Sequence, residues 1–189
     1  MTTPVTDSNG DLLGVVAAID GDGDATVSLP PNVGLPAIVH AQYRGVAKFV
    51  VTAVDANGRF LSIVAQSLGN YDGTFPVGFV DQHNAPTRGL SVATTGRWHL
   101  DITEATFAPR LPRPGVSGLG DAVLSYTGPA VRALVTYPGT STLTIETFAN
   151  GVVNVLTDAA GPVRRLIVLP SGPAFISVTA AGNWSMKLE

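Results

Sequence analysis

The sequence predicts an all-β protein built from two tandem, duplicated antiparallel β-sandwich domains of the jelly-roll or immunoglobulin-like kind. The first observation is an internal repeat: GRWHLDI at 96–102 is answered by GNWSMKL at 182–188, and both follow the pattern Gly-x-Trp-x-apolar-x-apolar. An internal sequence repeat indicates a repeated structural unit. The second observation is apolar residues that alternate with polar ones, as in half-buried strands. The third is that Gly, Pro and Asn turns separate these segments at short intervals.

Shared landmarks place the rest of the chain in the same two copies. The paired landmarks are Gly-Asp-Ala at 23–25 and 120–122, Tyr-x-Gly at 43–45 and 137–139, and Ala-Asn-Gly at 56–58 and 149–151. Asn-Gly is favoured in hairpin turns where both central residues need positive φ. The first copy carries additional residues near 69–73 and 81–86, which we interpret as loops.

Alternation between the landmarks predicts about seven strands per copy, as in sandwiches or barrels. The predicted strands are 25–29, 37–43, 48–54, 60–66, 74–80, 89–94 and 98–102 in the first copy, and 122–126, 130–137, 142–148, 152–156, 164–169, 174–179 and 184–188 in the second. No segment has the periodicity of an amphipathic helix.

These strands define a first domain at 20–104 and a second domain at 118–189. The segment 105–117 is rich in proline, which favours an extended linker. Residues 1–19 have no counterpart in that linker. Their apolar side chains predict either an extra strand on the first domain or an arm that adds a strand to a neighbour's sheet and so binds a partner. The residues concerned are Leu12, Leu13, Val15 and Val16.

Composition narrows the class of protein. Charged residues make up 13% of the chain, against an average of about 25%. The surface is therefore either covered by Ser, Thr and Asn, or partly apolar and covered by partners in an assembly. A net charge of −3 does not predict a nucleic-acid partner. With no cysteine, the fold does not depend on disulfides.

The N-terminal residues predict no targeting to a membrane. Residues 1–7 lack the basic start of a secretory signal, and the apolar run at 12–19 is too short to span a bilayer. We therefore expect no membrane partner and synthesis in the cytoplasm.

The three histidines are the first candidates for chemistry. His40 alternates with Val39 and Ala41, which predicts a solvated strand position. His99 and Asp101 are two residues apart and share a strand face, so they can act as a pair. His83 belongs to the 81–86 loop of the first copy, where a binding role is open.

Other motifs predict no catalytic, cofactor or metal site. The Asp-Gly-Asp-Gly-Asp run at 20–24 is either an acidic turn or a calcium loop, but an EF-hand continuation fails at Ala25 and Pro31. The sequence contains no nucleophile elbow, P-loop or dinucleotide fingerprint. Trp98 and Trp184 precede apolar residues on the same strand face, so we interpret them as core anchors rather than sugar platforms.

Each copy begins with Gly-Asp, contains Tyr-x-Gly and Asn-Gly turns, and closes with a Gly-x-Trp strand. In these features each copy resembles a β-sandwich module that occurs in tandem. Such modules are found in bacterial surface proteins and in accessory structural proteins of tailed phages of actinobacteria. The likeness extends over most of residues 21–189. It implies a structural or adhesive role without catalytic residues, and the missing secretory signal favours the phage setting. The expected partners are other virion proteins and further copies of the chain.

Two further functions stay open beside that of an exterior virion subunit, such as a head decoration protein. A glycan- or small-ligand-binding module would use the longer loops of the first copy, at Tyr71, Asp72, His83 and Asn84. An enzyme would depend on His99. The first reading places the protein in the virion, assembled in the host cytoplasm.

Overall fold

The computed structural model describes residues 14–31, 33, 35–79 and 85–189. Within them the chain forms sixteen antiparallel strands, and its helical structure is a single 3₁₀ turn, Ala105–Phe107. The predicted all-β class is confirmed. The chain divides into two compact units, the first ending at Phe107 and the second beginning at Ala108.

The first unit contains two four-stranded sheets. Its strands are β1 (Val15–Asp22), β2 (Ala25–Ser28), β3 (Ala37–Tyr43), β4 (Lys48–Val54), β5 (Phe60–Leu68), β6 (Tyr71–Val77), β7 (Gly89–Ala93) and β8 (Arg97–Glu104). One sheet has the order β1-β8-β3-β6 and the other has the order β2-β7-β4-β5.

The second unit repeats this arrangement strand for strand. Its strands are β9 (Gly115–Leu119), β10 (Ala122–Tyr126), β11 (Val131–Tyr137), β12 (Thr142–Ala149), β13 (Val152–Ala160), β14 (Val163–Leu169), β15 (Ala174–Ala180) and β16 (Asn183–Leu188). The sheets have the orders β9-β16-β11-β14 and β10-β15-β12-β13. Eight strands divided equally between two sheets, with the chain passing repeatedly from one sheet to the other, form a jelly roll. Both units are therefore jelly rolls rather than immunoglobulin-like sandwiches, which have seven to nine strands in a different order.

The repeated landmarks hold the same positions in both cores. Trp98 is 3% exposed and donates its indole N–H to the carbonyl oxygen of Gly23 at 2.9 Å, while Trp184 is 2% exposed and donates to Gly120 at 2.8 Å. Both tryptophans are core anchors, as predicted. The indole N–H of each finds a backbone acceptor, so burial leaves no donor unpaired.

The aspartate after each of these glycines extends the pairing of two strands in one sheet, β2 with β7 in the first unit and β10 with β15 in the second. Asp24 accepts a hydrogen bond from the Thr94 backbone N–H, and Asp121 accepts one from the Ala180 backbone N–H, both at 2.8 Å. The Gly-Asp pair of each copy therefore makes the same carboxylate-to-backbone hydrogen bond in its unit.

The first strand of each unit differs from the sequence interpretation. Val15 and Val16 belong to β1, which pairs with β8, so the described part of the N-terminal segment is an extra strand of the first unit. Leu12 and Leu13 lie outside the described residues. The statement that this segment has no counterpart was wrong, because β9 pairs with β16 as β1 pairs with β8.

The proline-rich segment also differs from an extended linker. Leu111 is buried in the core of the second unit, and its backbone N–H donates to the carbonyl oxygen of Ser125. This segment runs beside β10 through the bridge between Arg110 and Ser125, and β9 begins at Gly115. Residues 108–119 are therefore part of the second jelly roll.

The two Asn-Gly turns are not alike. Asn150 and Gly151 both have positive φ, at 51° and 74°, as the hairpin prediction requires. In the first unit only Gly58 of the pair has positive φ, because the Asp55 carboxylate accepts hydrogen bonds from the backbone N–H groups of Asn57 and Arg59. This aspartate widens the turn and keeps Asn57 in an ordinary conformation.

Candidate functional site

The outer face of the sheet β1-β8-β3-β6 carries a connected row of histidines and aspartates. His99 on β8 contacts Asp20 on β1 through Nδ1 at 2.9 Å, and Asp101 on its own strand through Nε2 at 3.0 Å. Strand alternation turns Trp98 inward and these side chains outward. His99 and Asp101 are in contact, as their shared strand face allows, and Asp20 is a third member of the group.

His40 on β3 extends this row to the opposite edge of the sheet. Its Nε2 lies 2.9 Å from Asp72 on β6, and its Nδ1 lies 3.8 Å from the other oxygen of Asp101. Asp72 also accepts a hydrogen bond from the Arg44 guanidinium at 3.2 Å. Asp101 therefore lies between the two histidines, which the sequence interpretation kept apart: it hydrogen-bonds His99, whereas the buried Nδ1 of His40 has no hydrogen-bond partner.

His99 is held in the charged form by its neighbours. Partial burial alone would lower its pKa, but the hydrogen bonds to Asp20 and Asp101 and the charges of both carboxylates outweigh burial and raise the pKa. Both ring nitrogens face carboxylate oxygens, and only the imidazolium can donate a proton to each. Protonated His99 therefore ties β1 to β8.

This row of side chains connects neighbouring strands of the sheet. The described residues contain no group of three His, Asp or Glu side chains placed to hold a metal ion. Asp20 is directed to His99 and Asp24 to the Thr94 backbone, so the carboxylates of the predicted acidic turn point to different partners. No serine, threonine or lysine hydrogen-bonds to either described histidine as an activated nucleophile would.

The equivalent surface of the second unit is a groove. It has a volume of about 460 Å³, and its lining is mostly apolar, with hydroxyl and amide side chains among the lining residues. The lining residues are Ser117, Gly118, Leu119, Thr136, Pro138, Asn183, Trp184 and Ser185. Ser117 and Ser185 occupy the positions that Asp20 and His99 hold in the first unit. Duplication has therefore produced two corresponding sites with different chemistry.

Exposed apolar side chains form a second feature of both units. In the first unit Leu68 is 86% exposed and Ile63 is 52% exposed, and both lie on β5 at a sheet edge. In the second unit Val155 lies on the corresponding edge strand β13, and Val168 on β14. Side chains of this size that stay in water are a common mark of partner surfaces when they are grouped.

Of the four residues proposed for ligand binding, the structure describes Tyr71 and Asp72, and both have partners within the first unit. Tyr71 is buried, with its ring 5.3 Å from that of Phe49, so it offers no stacking face to a sugar. Asp72 is engaged by His40 and Arg44. His83 and Asn84 lie outside the described residues.

The fold defines the class of the protein: a tandem jelly-roll protein, with each unit of the architecture found in virus shell proteins, lectins and cupins. No protein-family model and no curated protein matches the sequence. Among solved structures, the chain is similar to the crystal structure of the STIV MCP, a viral major capsid protein. The TM-score is 0.26 and the identity 9%, over 91% of this chain and 96% of that one. At that level the likeness carries no argument, and the jelly-roll assignment depends on strand order alone.

None of the helical structure in the described residues is long and apolar enough to cross a bilayer.

Proposed function

We propose that the chain is a non-enzymatic structural subunit of a virion, located on the exterior of the particle as an accessory or head decoration protein. A jelly roll by itself hosts several functions, so the fold gives only the setting. The supporting observation is the set of exposed apolar side chains on β5. That surface suits packing against neighbouring subunits, and the partners are other virion proteins and further copies of the chain.

The β5 strand favours packing because it combines exposed apolar side chains with the absence of charged residues within the strand. Ile63 lies opposite Thr52 and Leu68 lies opposite Lys48, and β5 itself has no charged residue. Covering an exposed leucine or isoleucine contributes about 1.5–3 kcal/mol each if it is fully removed from water. Two such side chains, repeated over many subunits, stabilise an assembly substantially.

Truncating this surface tests the proposal. We expect particles to incorporate at least about tenfold less of a double variant carrying Ile63→Ser and Leu68→Ser than of the unmodified protein. The reason is that a loss of about 1.4 kcal/mol of contact free energy corresponds to a tenfold change in affinity. Gln66→Ser on the same strand is the matched control, since it removes little apolar area. Equal incorporation of all three proteins, measured by quantitative mass spectrometry of purified particles, would contradict the proposal.

Glycan or small-ligand binding is the second candidate, because the groove of the second unit presents a few hydroxyl and amide groups in a mostly apolar lining. Pockets with a few polar groups among apolar ones are typical ligand sites. A glycan array with the unmodified protein tests this function. Binding that is lost in Asn183→Ala and kept in Arg97→Ala, at the corresponding position of the first unit, would favour it over the structural role.

A further inference from the structure

The outer faces of the two corresponding sheets carry opposite charges at the same positions. Tyr43 lies opposite Tyr71 in the first unit, and Tyr137 lies opposite Val163 in the second. One step further along each strand, Asp72 therefore corresponds to Arg164. In the same way Asp101 lies opposite His40, and Lys187 lies opposite Leu134.

The first of these surfaces, the acidic face, extends across β1, β8, β3 and β6. Its ionisable side chains are Asp20, Asp22, His40, Asp72, His99 and Asp101, with Arg44 and Arg97 at its border. The most accessible carboxylates are those of Asp20, 89% exposed, and Asp72, 49% exposed. They lie on opposite edge strands, and each also contacts a basic side chain of this face, Asp20 contacting His99 and Asp72 contacting His40 and Arg44.

The second surface, the basic apolar face, covers β14, β11 and β16. Its outward side chains are Arg132, Leu134, Arg164, Leu166, Val168 and Lys187. Val168 and the Arg132 side chain are both more than half exposed. Glu189 lies beside this face, with its carboxylate 3.9 Å from the Arg132 guanidinium. Apolar side chains surrounded by cations favour an acidic partner surface.

We propose that the basic apolar face binds the acidic face of a second copy of this chain. The inference rests on the proposed function, because a shell or decoration subunit needs contacts with its neighbours. The basic apolar face presents Arg132, Arg164 and Lys187, and the acidic face presents the exposed carboxylates of Asp20, Asp22 and Asp72, so charges of opposite sign meet when the two surfaces pack together. Since every chain carries one face of each kind, the contact is head to tail and continues from copy to copy.

The size of these faces decides how strong one contact is. Four strands about 4.8 Å apart and six residues long cover roughly 20 Å by 20 Å, or about 400 Å² of flat area. A stable pair usually buries about 800 Å² on each partner. A single contact is therefore weak, and it becomes effective at high protein concentration or when many copies are held together.

Charge reversal on each face provides the test. The first protein has a reversed basic apolar face and carries Arg132→Glu and Lys187→Glu. The second has a reversed acidic face and carries Asp20→Lys and Asp72→Lys. If this second variant melts at a lower temperature than the unmodified protein, Asp20→Lys alone replaces it. Sedimentation velocity over a protein concentration series, at low and high salt, measures association. All of these residues are solvent-exposed, and thermal unfolding confirms that each variant is folded.

We expect the unmodified protein to associate at low salt and to dissociate as salt screens the charges. Each reversed protein alone should associate on the order of a hundredfold more weakly, because like charges then face each other. An equimolar mixture of the two should recover association, because the unmodified acidic face of the first protein meets the unmodified basic apolar face of the second. Association of either variant equal to the unmodified protein, a mixture that fails to recover it, or an unmodified protein that stays monomeric would overturn the inference. Location in the virion is measured separately on particles, so that result can stand even if this one fails.

Discussion

At the scale of single residues, the buried tryptophans depend on two glycines that the sequence repeat did not single out. A Cβ atom on Gly21 would lie 2.0 Å from the Trp98 ring, and one on Gly118 would lie 2.3 Å from the Trp184 ring. Atoms at such distances overlap, so a side chain at either position displaces the indole. The corresponding glycines thus allow each tryptophan to lie flat beneath the first strand of its unit.

Alanine at Gly21 or Gly118 should therefore destabilise the protein. We expect Gly21→Ala and Gly118→Ala each to lower the free energy of unfolding by about 1–3 kcal/mol, the usual cost of overfilling a packed core. Ala18→Ser, at an outward position of the same strand β1, is the control and should change it by less than about 0.5 kcal/mol. Urea unfolding followed by tryptophan fluorescence measures all three. Equal stability of the glycine variants and the control would show that the rings have room to move.

Protonation of His99 predicts a pH-dependent contribution to stability. The folded-state pKa is raised above the ordinary value of about 6.5, so the contribution is fully present below about pH 6.5 and is lost as pH rises through the folded pKa. We expect the stability difference between the unmodified protein and His99→Gln to shrink over that range. Nuclear magnetic resonance titration of His99 gives the folded pKa directly. A value below 6.5, or a stability difference that does not vary with pH, would contradict this assignment.

At the scale of strands and turns, the order of the strands shows what alternation can and cannot predict. Strands such as 37–43 and 48–54 have regular alternation and were predicted with the observed bounds. β9 was missed because Gly115 and Gly118 contribute no apolar side chain to the pattern and prolines precede them. The His–Asp row was not predictable, because Asp20 and His99 are 79 positions apart and meet only through the pairing of β1 with β8.

The first strand of the first unit should be required for its stability. Ile19 on β1 packs against the core, whereas Ala18 points outward. We expect Ile19→Ala to lower the free energy of unfolding by about 2 kcal/mol, as partly buried aliphatic side chains do when truncated. If β1 served only as a docking arm, the variant would lose association with partners and keep its stability. Chemical unfolding and sedimentation of the same variant separate these outcomes.

The two Asn-Gly turns give a matched pair within one chain. Asn150 has a φ of 51°, where alanine is disfavoured by about 1–2 kcal/mol relative to its ordinary conformations, while Asn57 does not have positive φ. We expect Asn150→Ala to destabilise the protein by about 1 kcal/mol and Asn57→Ala by less than half as much. Thermal unfolding of both variants is the measurement. An equal effect at the two positions would mean that the turns are alike after all.

At the scale of the whole molecule, the sequence predicted two copies but did not predict that all eight strands of the first unit recur in the second. The landmark residues near Gly23, Trp98 and their counterparts identified the repeat because core packing and sheet capping impose the same chemistry in both copies. The outer faces are free of that constraint, and they diverged to Asp72 in one copy and Arg164 in the other. Functional differences between the copies therefore lie on the outer faces, where the two sequences are least alike. They are found by comparing outward residues that hold the same position in the strand pairing of each unit.

The central claim is that this tandem jelly roll is a structural subunit of a virion. Its most direct test is to fractionate the native source on a density gradient and to quantify the chain in each fraction by mass spectrometry. We expect the protein to sediment with particles. If it decorates the head, its copy number should be close to that of a major shell protein. A few copies per particle would indicate a tail or vertex position. Recovery of the protein only in the soluble fractions, with particles that lack it, would contradict the claim.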